Sequence, residues 1–600
     1  MFAPLLLSSF EQHQRRIDWI GVLLAGLLAL ASVPTAYGQS ETPGESVGAQ
    51  SFFSGGRGVV WEVPDVDRAA RFELDRIAES GITTVRVSAA PWFLPGKERS
   101  AAAVLAHAES LGVSVALDLP LAYESAAQID VATDSLGPTL DRIAQLARQH
   151  RALVAVGLGK SLDTSVSKTC AALERLAVEL RNRAPDVARY YISPFRPEED
   201  QCAGAVDGVL LDVRGVENPV ERHRAWSAST DTPVAIGAAG TWVAPDSASG
   251  LNIPHSSQAQ ARWLEMVLNQ WIPERSDAFE WSEPGDTPAS DAQAFSELSP
   301  TIFVYRWADE KNPLGRRYGL HAANGDPRPA ATVVRGIYRG EQRVFAFPSG
   351  SAPSPEAPWA VLFGWFLLIG FALLYARRPL FRRAVGRYFM AHGFYTDSVR
   401  EGRDTVSLVS WLMLLVVGVA TGVIAAVIVD VLAPTMVAER FIDALGPDLG
   451  QRLGSYISQP ITTGAFVAGG VIVMLLVWSV MIGLAVRNWK TLRTDQVMML
   501  VIWPCWPALL WMGVALVMVS NGTTGSPQTA GILAALGAVS AVWATVRVLR
   551  DVRVVTRIPL PVASLMAVFS PAAITTLLFA ITWVQTNISA SLVIHLFTRT

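Results

Sequence analysis

The run Gly81-Ile82-Thr83-Thr84-Val85-Arg86-Val87 decides how the first half of the chain is read. It is a short β-branched strand signal that follows directly on the helical pattern Ala69 to Ser80. The same alternation continues on both sides. Strand signals fall at Gly58 to Trp61, Ser114 to Leu117, Leu153 to Leu158, Arg189 to Ser193, Gly208 to Asp212, Pro233 to Gly237 and Ile302 to Trp307. Between them lie helical patterns at Ala101 to Leu111, Thr139 to Gln149, Ser165 to Arg183, Val220 to Ser227 and Gln258 to Gln270. Eight strands alternating with helices over about 280 residues fit an α/β fold closed as a (β/α)8 TIM barrel better than a doubly wound sheet. Chemistry in such a barrel sits at the C-terminal ends of the strands.

From Pro358 the character changes. Apolar segments at about 358–376, 407–432, 463–486, 496–519, 529–546 and 560–585 approach or exceed the ~20 residues that a bilayer core requires. They predict an all-α bundle of six transmembrane spans over 358–600. Arg377, Arg378, Arg382, Arg383 and Arg387 follow the first segment, Arg487, Lys490 and Arg493 the third, and Arg547, Arg550, Arg553 and Arg557 the fifth. The positive-inside rule gives those loops to the cytoplasm and 433–462 and 520–528 to the opposite side. Upstream, Arg15 and Arg16, the apolar stretch Ile20 to Val33 and the small residues around Ala36-Tyr37-Gly38 predict a signal peptide over 1–38. An uncleaved anchor helix is the alternative, and either places 50–340 outside the cytoplasm. The Pro- and Ser-rich stretch 341–357 reads as a linker. The expected location is a bacterial inner membrane, with a periplasmic N-terminal domain.

Composition narrows function further. The chain has 600 residues, 51% of them hydrophobic and 17% charged, a net charge of -3 and a mean hydropathy of +0.31. No basic surplus exists to neutralise a phosphate backbone, so no nucleic-acid partner is expected. Three cysteines, Cys170, Cys202 and Cys505, build neither a zinc nor an iron–sulfur framework, so neither metal nor cofactor is expected. Cys170 and Cys202 fall in adjacent exported units and predict a disulfide. Apart from Asp430, the apolar segments carry essentially no ionisable group, which disfavours a charge-coupled transporter. Gly418 and Gly422, with Gly464, Gly469, Gly470, Gly531 and Gly537, predict close helix approach. Trp503-Pro504-Cys505-Trp506-Pro507 should kink the fourth span, and its role is open.

Several motifs carry a resemblance. Gly81 to Val87, Gln258-Ala259 at a helix start, Phe303 to Asp309, Tyr318-Gly319-Leu320 and Asn324-Gly325-Asp326-Pro327-Arg328-Pro329-Ala330 resemble the barrels of the retaining glycoside hydrolases. That clan includes endo-β-1,3-glucanases and β-galactosidase-like enzymes, and the resemblance covers Arg57 to Tyr338. It implies an acid/base Glu after the fourth strand and a nucleophile Glu after the seventh. Here Lys160-Ser161 stand at the first place and Ala238 at the second, so both required carboxyls are missing. The segment Pro379 to Arg403 mixes Arg with Phe and Tyr, as an interfacial helix does. Followed by five spans, it resembles the Yip family of polytopic membrane proteins, without a motif that assigns residues.

Other groups remain for the mouth. Glu62, Asp118, Asp212, Asp309 and Glu310 fall near strand ends and are candidates for a relocated carboxylate pair, Asp118, Asp212 and Asp309 foremost. Helix caps and solvated loop charges are the bland alternative. Trp92, Phe93, Tyr123, Lys160, Trp242 and Trp307 are candidate glycan contacts, the aromatics because sugar rings stack on such faces. Trp226, Trp263 and Trp271 belong on helices and should pack in the core. Three functions are compatible with these residues. They are a membrane-anchored pseudoenzyme that binds carbohydrate (a β-glucan or other envelope polysaccharide), an active hydrolase or transglycosylase with displaced carboxylates, and a membrane assembly factor whose barrel contacts protein.

An outside start and six spans put Thr600 outside as well. A reporter fused there should therefore be active only in the periplasm, and cytoplasmic activity would remove or add a span.

Overall fold

Strands that are β-branched and buried on both faces close into a parallel barrel only if helices cover the outside and side chains fill the inside. The computed structural model does both, and it describes residues 51–93, 98–245, 247–272, 299–351, 359–403, 407–520 and 527–586. The expected signal peptide lies outside the described residues. The strands are β1 (Arg57–Val60), β2 (Thr84–Ser88), β3 (Ser114–Asp118), β4 (Leu153–Lys160), β5 (Ala188–Ser193), β6 (Gly208–Asp212), β7 (Val234–Ala239) and β8 (Ile302–Val304). Each pairs in parallel with the next, and β8 closes on β1 with Phe303 opposite Gly58.

Inside the barrel, Ala116, Ala155, Ala188 and Ala235 leave room for Tyr190 and Phe303. Phe52, from the segment before β1, closes the N-terminal end with its ring stacked 5.6 Å from Tyr190. Outside, the covering helices bury one stripe each, as Asp67–Glu79 does with Ala70, Leu74 and Ile77. The helix Ala126–Ser135 after β3 escapes the sequence pattern, and its start is set by Ser125 and Gln128. β8 ends at Val304, three residues short of the expected Trp307. Cys170 and Cys202 are disulfide-bonded across 32 residues.

The segment after β8 is fastened by one buried ion pair. Arg328 holds Asp309 with both guanidinium nitrogens, and the same carboxylate accepts from Gly319 N at 2.9 Å. A Cβ at Gly319 would lie 2.4 Å from Asp309 N and from His321 O, so only glycine fits. The expected linker begins later than its composition suggests. Phe345 is buried in the barrel core, and Pro348 and Ser349 accept backbone hydrogen bonds from Leu251 and Asn252.

The second half is helical. Among the described residues, four helices are long and apolar enough to cross a bilayer, and two bent pairs raise the number to as many as six. One pair is Val361–Arg377 with Pro379–Met390, turned through 101°, and the other is Leu560–Val568 with Pro571–Ile581, turned through 52° at Pro571. Helix Ser407–Leu432 packs along Pro460–Val486 where a Cβ on Gly422 would come 2.4 Å from Gly464 O. Among the described residues, Gly469, Gly470, Gly531 and Gly537 face no neighbour within 4 Å, so the close approach expected of them is not made there.

Replacing both Cys170 and Cys202 by Ser should destabilise the barrel by about 3–4 kcal/mol, the entropy released by opening a loop of this length. A thermal unfolding midpoint unchanged from wild type would show that the bond constrains nothing.

Candidate functional site

The C-terminal ends of the strands carry charge that the chain neutralises internally. At the base, the β2 residue Arg86 pairs with Asp118 at the end of β3, Nε to Oδ2 2.9 Å, and Tyr190 donates to the same carboxylate at 2.6 Å. Above it, Asp212 ends β6 and is gripped by Arg214, Nε to Oδ1 2.9 Å and Nη2 to Oδ2 2.8 Å. The Arg214 guanidinium lies 4.3 Å over the Tyr305 ring.

The mouth is then closed by the membrane half of the chain. Thr435 caps the helix Met436–Ala444, which with the helix Pro447–Ile457 forms a helical hairpin between two apolar spans. Its sequence puts Glu439 and Asp443 four residues apart on one face. Glu439 accepts from Arg214 at 3.0 Å, from Arg316 at 2.7 Å and from the Tyr318 hydroxyl at 2.5 Å. Arg316 also donates to Thr435 O at 2.8 Å, and Arg440 reaches Asp212 at 3.9 Å. Arg214, Arg316, Glu439 and Arg440 are all at most 3% exposed. Removing one member of such a cluster strands its partners without water, so the cluster commits barrel and hairpin to each other.

This pairing sets the acidity of each group. Burial works to raise Asp212, but Arg214, with Arg440 and Lys160, outweighs it and holds the carboxyl well below the usual range. Glu439 follows the same balance, with Arg214 and Arg316 prevailing over burial. Asp443 goes the other way, because burial pushes it up against the pull of Lys160. Burial also opposes ionisation of Tyr305, yet Arg306, Arg214 and Lys160 hold its phenol below the ordinary value.

Two cavities survive around the plug. One of about 240 Å³ is lined by polar groups, among them Lys160, Tyr305, Arg306, Glu310, Asn312 and Asp443. The other, of about 430 Å³, runs between the barrel and the hairpin past Arg222, Trp242, His255, Trp263, Pro434 and Arg440.

The candidates from sequence divide accordingly. Lys160 lines the smaller cavity, whereas Ser161 is fully buried at a left-handed φ of 53°, with its hydroxyl unpartnered. Ala238 is buried in β7 opposite Asp212. Trp92 and Trp307 both belong to the hydrophobic core between strands and helices, Trp307 against His321. The side chain of Phe93 lies outside the described residues. Tyr123 packs with Phe195 against Ala444 and Leu445 of the hairpin. Trp242 lines the larger cavity, but His255 stacks on it at 3.6 Å and Arg316 lies 5.0 Å from its centroid, so both compete with a sugar for the ring. Trp226 and Trp271 are in the core as expected, while Trp263 reaches the larger cavity.

Among the carboxylates, Asp309 is bound to Arg328, while Glu62 and Glu310 share Arg306 at the rim. Asp118 and Asp212 are engaged by arginine as well, and an ionised, paired carboxylate is a poor proton donor. Among the carboxylates of the described residues, Asp443 alone combines a place on the cavity with a pKa raised by burial.

No protein-family model and no curated protein matches the chain. Solved structures do resemble it. A GH2 β-galacturonidase from Eisenbergiella tayi bound to galacturonate is 14% identical with a TM-score of 0.38, covering 49% of this chain and 52% of its own. A β-glucuronidase from an uncultured Clostridium sp. is 14% identical with a TM-score of 0.36, covering 48% and 50%. The β-D-glucuronidase of Dictyoglomus thermophilum is 12% identical with a TM-score of 0.36, covering 49% and 52%. The chain thus spans about half the length of each, and similarity at this level transfers neither substrate nor activity. The barrel itself is a closed, parallel eight-stranded α/β barrel joined to a helical region with membrane-length apolar helices.

Sequence reading missed Glu439, Asp443, Arg214 and Arg316 as a set. The available signal was the amphipathic, charged segment Met436 to Ala444 in an otherwise apolar region, on the side of the membrane assigned to the barrel.

Glu439→Ala leaves Arg316 buried without its counter-charge and Arg214 with Asp212 alone, and should cost about 3–5 kcal/mol. Thermal unfolding of the full chain in detergent should show an earlier transition, and protease should cut 433–459 more readily. If both stay at wild-type values, the hairpin is held by other contacts. Because Glu439 and Asp212 have lowered folded values, their contribution is complete above the unfolded carboxylate range and is lost as pH falls through the folded values. Acid loosening is therefore expected only below about pH 4.

Proposed function

We propose that the protein is a membrane-anchored, non-hydrolytic glycan receptor. Its barrel takes one residue of an envelope polysaccharide, such as a β-glucan, in the polar cavity over Lys160. The observation that carries this reading is the cavity itself. About 240 Å³ at the barrel mouth is bounded by hydrogen-bonding side chains from β4, from the segment after β8 and from the hairpin. Sugars are recognised by convergent polar groups of this kind. The absence of an ordinary pair of catalytic carboxyls at Ser161 and Ala238 favours binding over cleavage. Asp443 keeps its proton more readily than an ordinary aspartate, so it suits a hydrogen bond to a sugar oxygen. It lacks a free carboxylate partner for double displacement among the described residues.

The hairpin supports a second reading, in which the barrel is a protein-docking body for membrane assembly, because the mouth already holds a segment of polypeptide.

Full-length protein in nanodiscs, screened against β-1,3- and β-1,4-glucans and other envelope glycans, separates these. The expected outcome is binding without release of reducing ends, weakened at least tenfold by Lys160→Met, as loss of a charged hydrogen bond implies. Release of products that stops in Asp443→Asn would replace this reading with an enzyme. Neither binding nor release would leave the protein-docking reading.

A further inference from the structure

Trp503-Pro504-Cys505-Trp506-Pro507 has no part in the barrel mouth. In the bundle it is where helix Thr494–Ile502 passes through the 3-10 turn Trp503–Cys505 into helix Pro507–Ser520. Pro504 and Pro507 lack the N–H groups that would continue the helical ladder. The break lets both indoles line a cavity of about 430 Å³, whose other walls are apolar residues such as Phe371, Phe381, Val385, Met413 and Leu509.

Two indole donors on this wall are left over. Among the described residues, Trp503 Nε1 and Trp506 Nε1 are buried without a hydrogen-bond partner, and Trp503 is only 3% exposed; the Tyr388 hydroxyl beside them, 4% exposed, is met by Arg547 but donates to no acceptor. The Arg547 guanidinium lies 5.9 Å from the Tyr388 ring, and its Nε also lacks a hydrogen-bond partner, having only the ion pair with Asp551 at 3.6 Å. Three other polar aromatics inside the bundle are satisfied. Trp478 donates to Met566 O at 3.1 Å, Trp511 to Ser540 Oγ at 2.7 Å and Tyr395 to Met499 O at 3.0 Å. Unsatisfied donors in an apolar bundle are costly, so a cluster of them on one cavity wall marks a missing acceptor.

The level of the cavity says where that acceptor comes from. Helix Pro379–Met390 turns sharply away from the span before it and rests on the two indoles, Phe381 at 5.9 Å from Trp503 and Phe389 at 5.1 Å from Trp506. The same helix exposes Arg382 and Arg383, as a helix at the head-group boundary does.

We propose that this cavity is a binding site for a glycerophospholipid of the surrounding bilayer. One acyl chain fills the apolar volume, and ester and phosphate oxygens accept from Trp503, Trp506 and Tyr388. The indole N–H groups only donate, and a glycerophospholipid supplies acceptor oxygens next to hydrocarbon. Arg547 and the exposed arginines favour a head group with net negative charge.

The test uses the full chain, purified in detergent and washed, with retained phospholipid counted by mass spectrometry. Wild type should keep one phospholipid per chain. The pair Trp503→Phe and Trp506→Phe, which preserves the rings and removes both donors, should retain about tenfold less. Trp411→Phe, on an exposed face of another span, should retain as much as wild type. Equal retention in wild type and the double variant, or none in either, overturns the proposal. A measurement without mutation covers failure of the variant to fold. A phospholipid with a photoreactive acyl chain should label peptides containing Met413 and Leu509 in nanodiscs at least tenfold above those containing Ile532 and Val539. Even labelling of all exposed spans overturns the site.

Discussion

One carboxylate, Glu439, organises the relation between the two halves of this chain. It is buried between Arg214 and Arg316 and accepts from Tyr318, all contributed by the barrel, while its own helix belongs to the loop between two spans. Desolvating so many charges is expensive, and their mutual attraction offsets the cost only when every partner is in place. The barrel mouth is therefore complete only with the membrane domain. The strand ends, the two flanking cavities and the engagement of Asp212 all follow from that requirement.

Each carboxylate of the mouth is answered by an arginine. Asp118 answers Arg86, Asp212 answers Arg214, and Asp309 answers Arg328. The hairpin brings a further acidic group, Asp443, to the rim of the cavity that remains.

The barrel was legible because its code is local. Each β-branched run reports its own burial, and each amphipathic stretch its own covering face, so strand positions follow from windows of a few residues. β8 stops at Val304, short of the strand pattern that runs to Trp307, and the indole of Trp307 lies beside His321 in the core. The motif most like the glycosidases, from Asp309 through Gly319 to Arg328, turned out to hold the segment after β8 together. Glu439 was not legible for a different reason. Its partners stand 225 and 123 residues away, and no local period records an ion pair across such a distance.

The late start of the linker has a mechanical consequence. Phe345 to Ser349 are fastened to the barrel, so the chain between Ser351 and the first span at Trp359 has eight peptide steps and a reach of at most roughly 28 Å. The barrel is thus leashed at one edge while its mouth is latched at another. If the latch opens, the two surfaces stay within a few nanometres, where an intramolecular partner has an effective concentration in the millimolar range. Opening is then a hinged, readily reversed tilt of the barrel at the bilayer surface, and it exposes the mouth without releasing the domain.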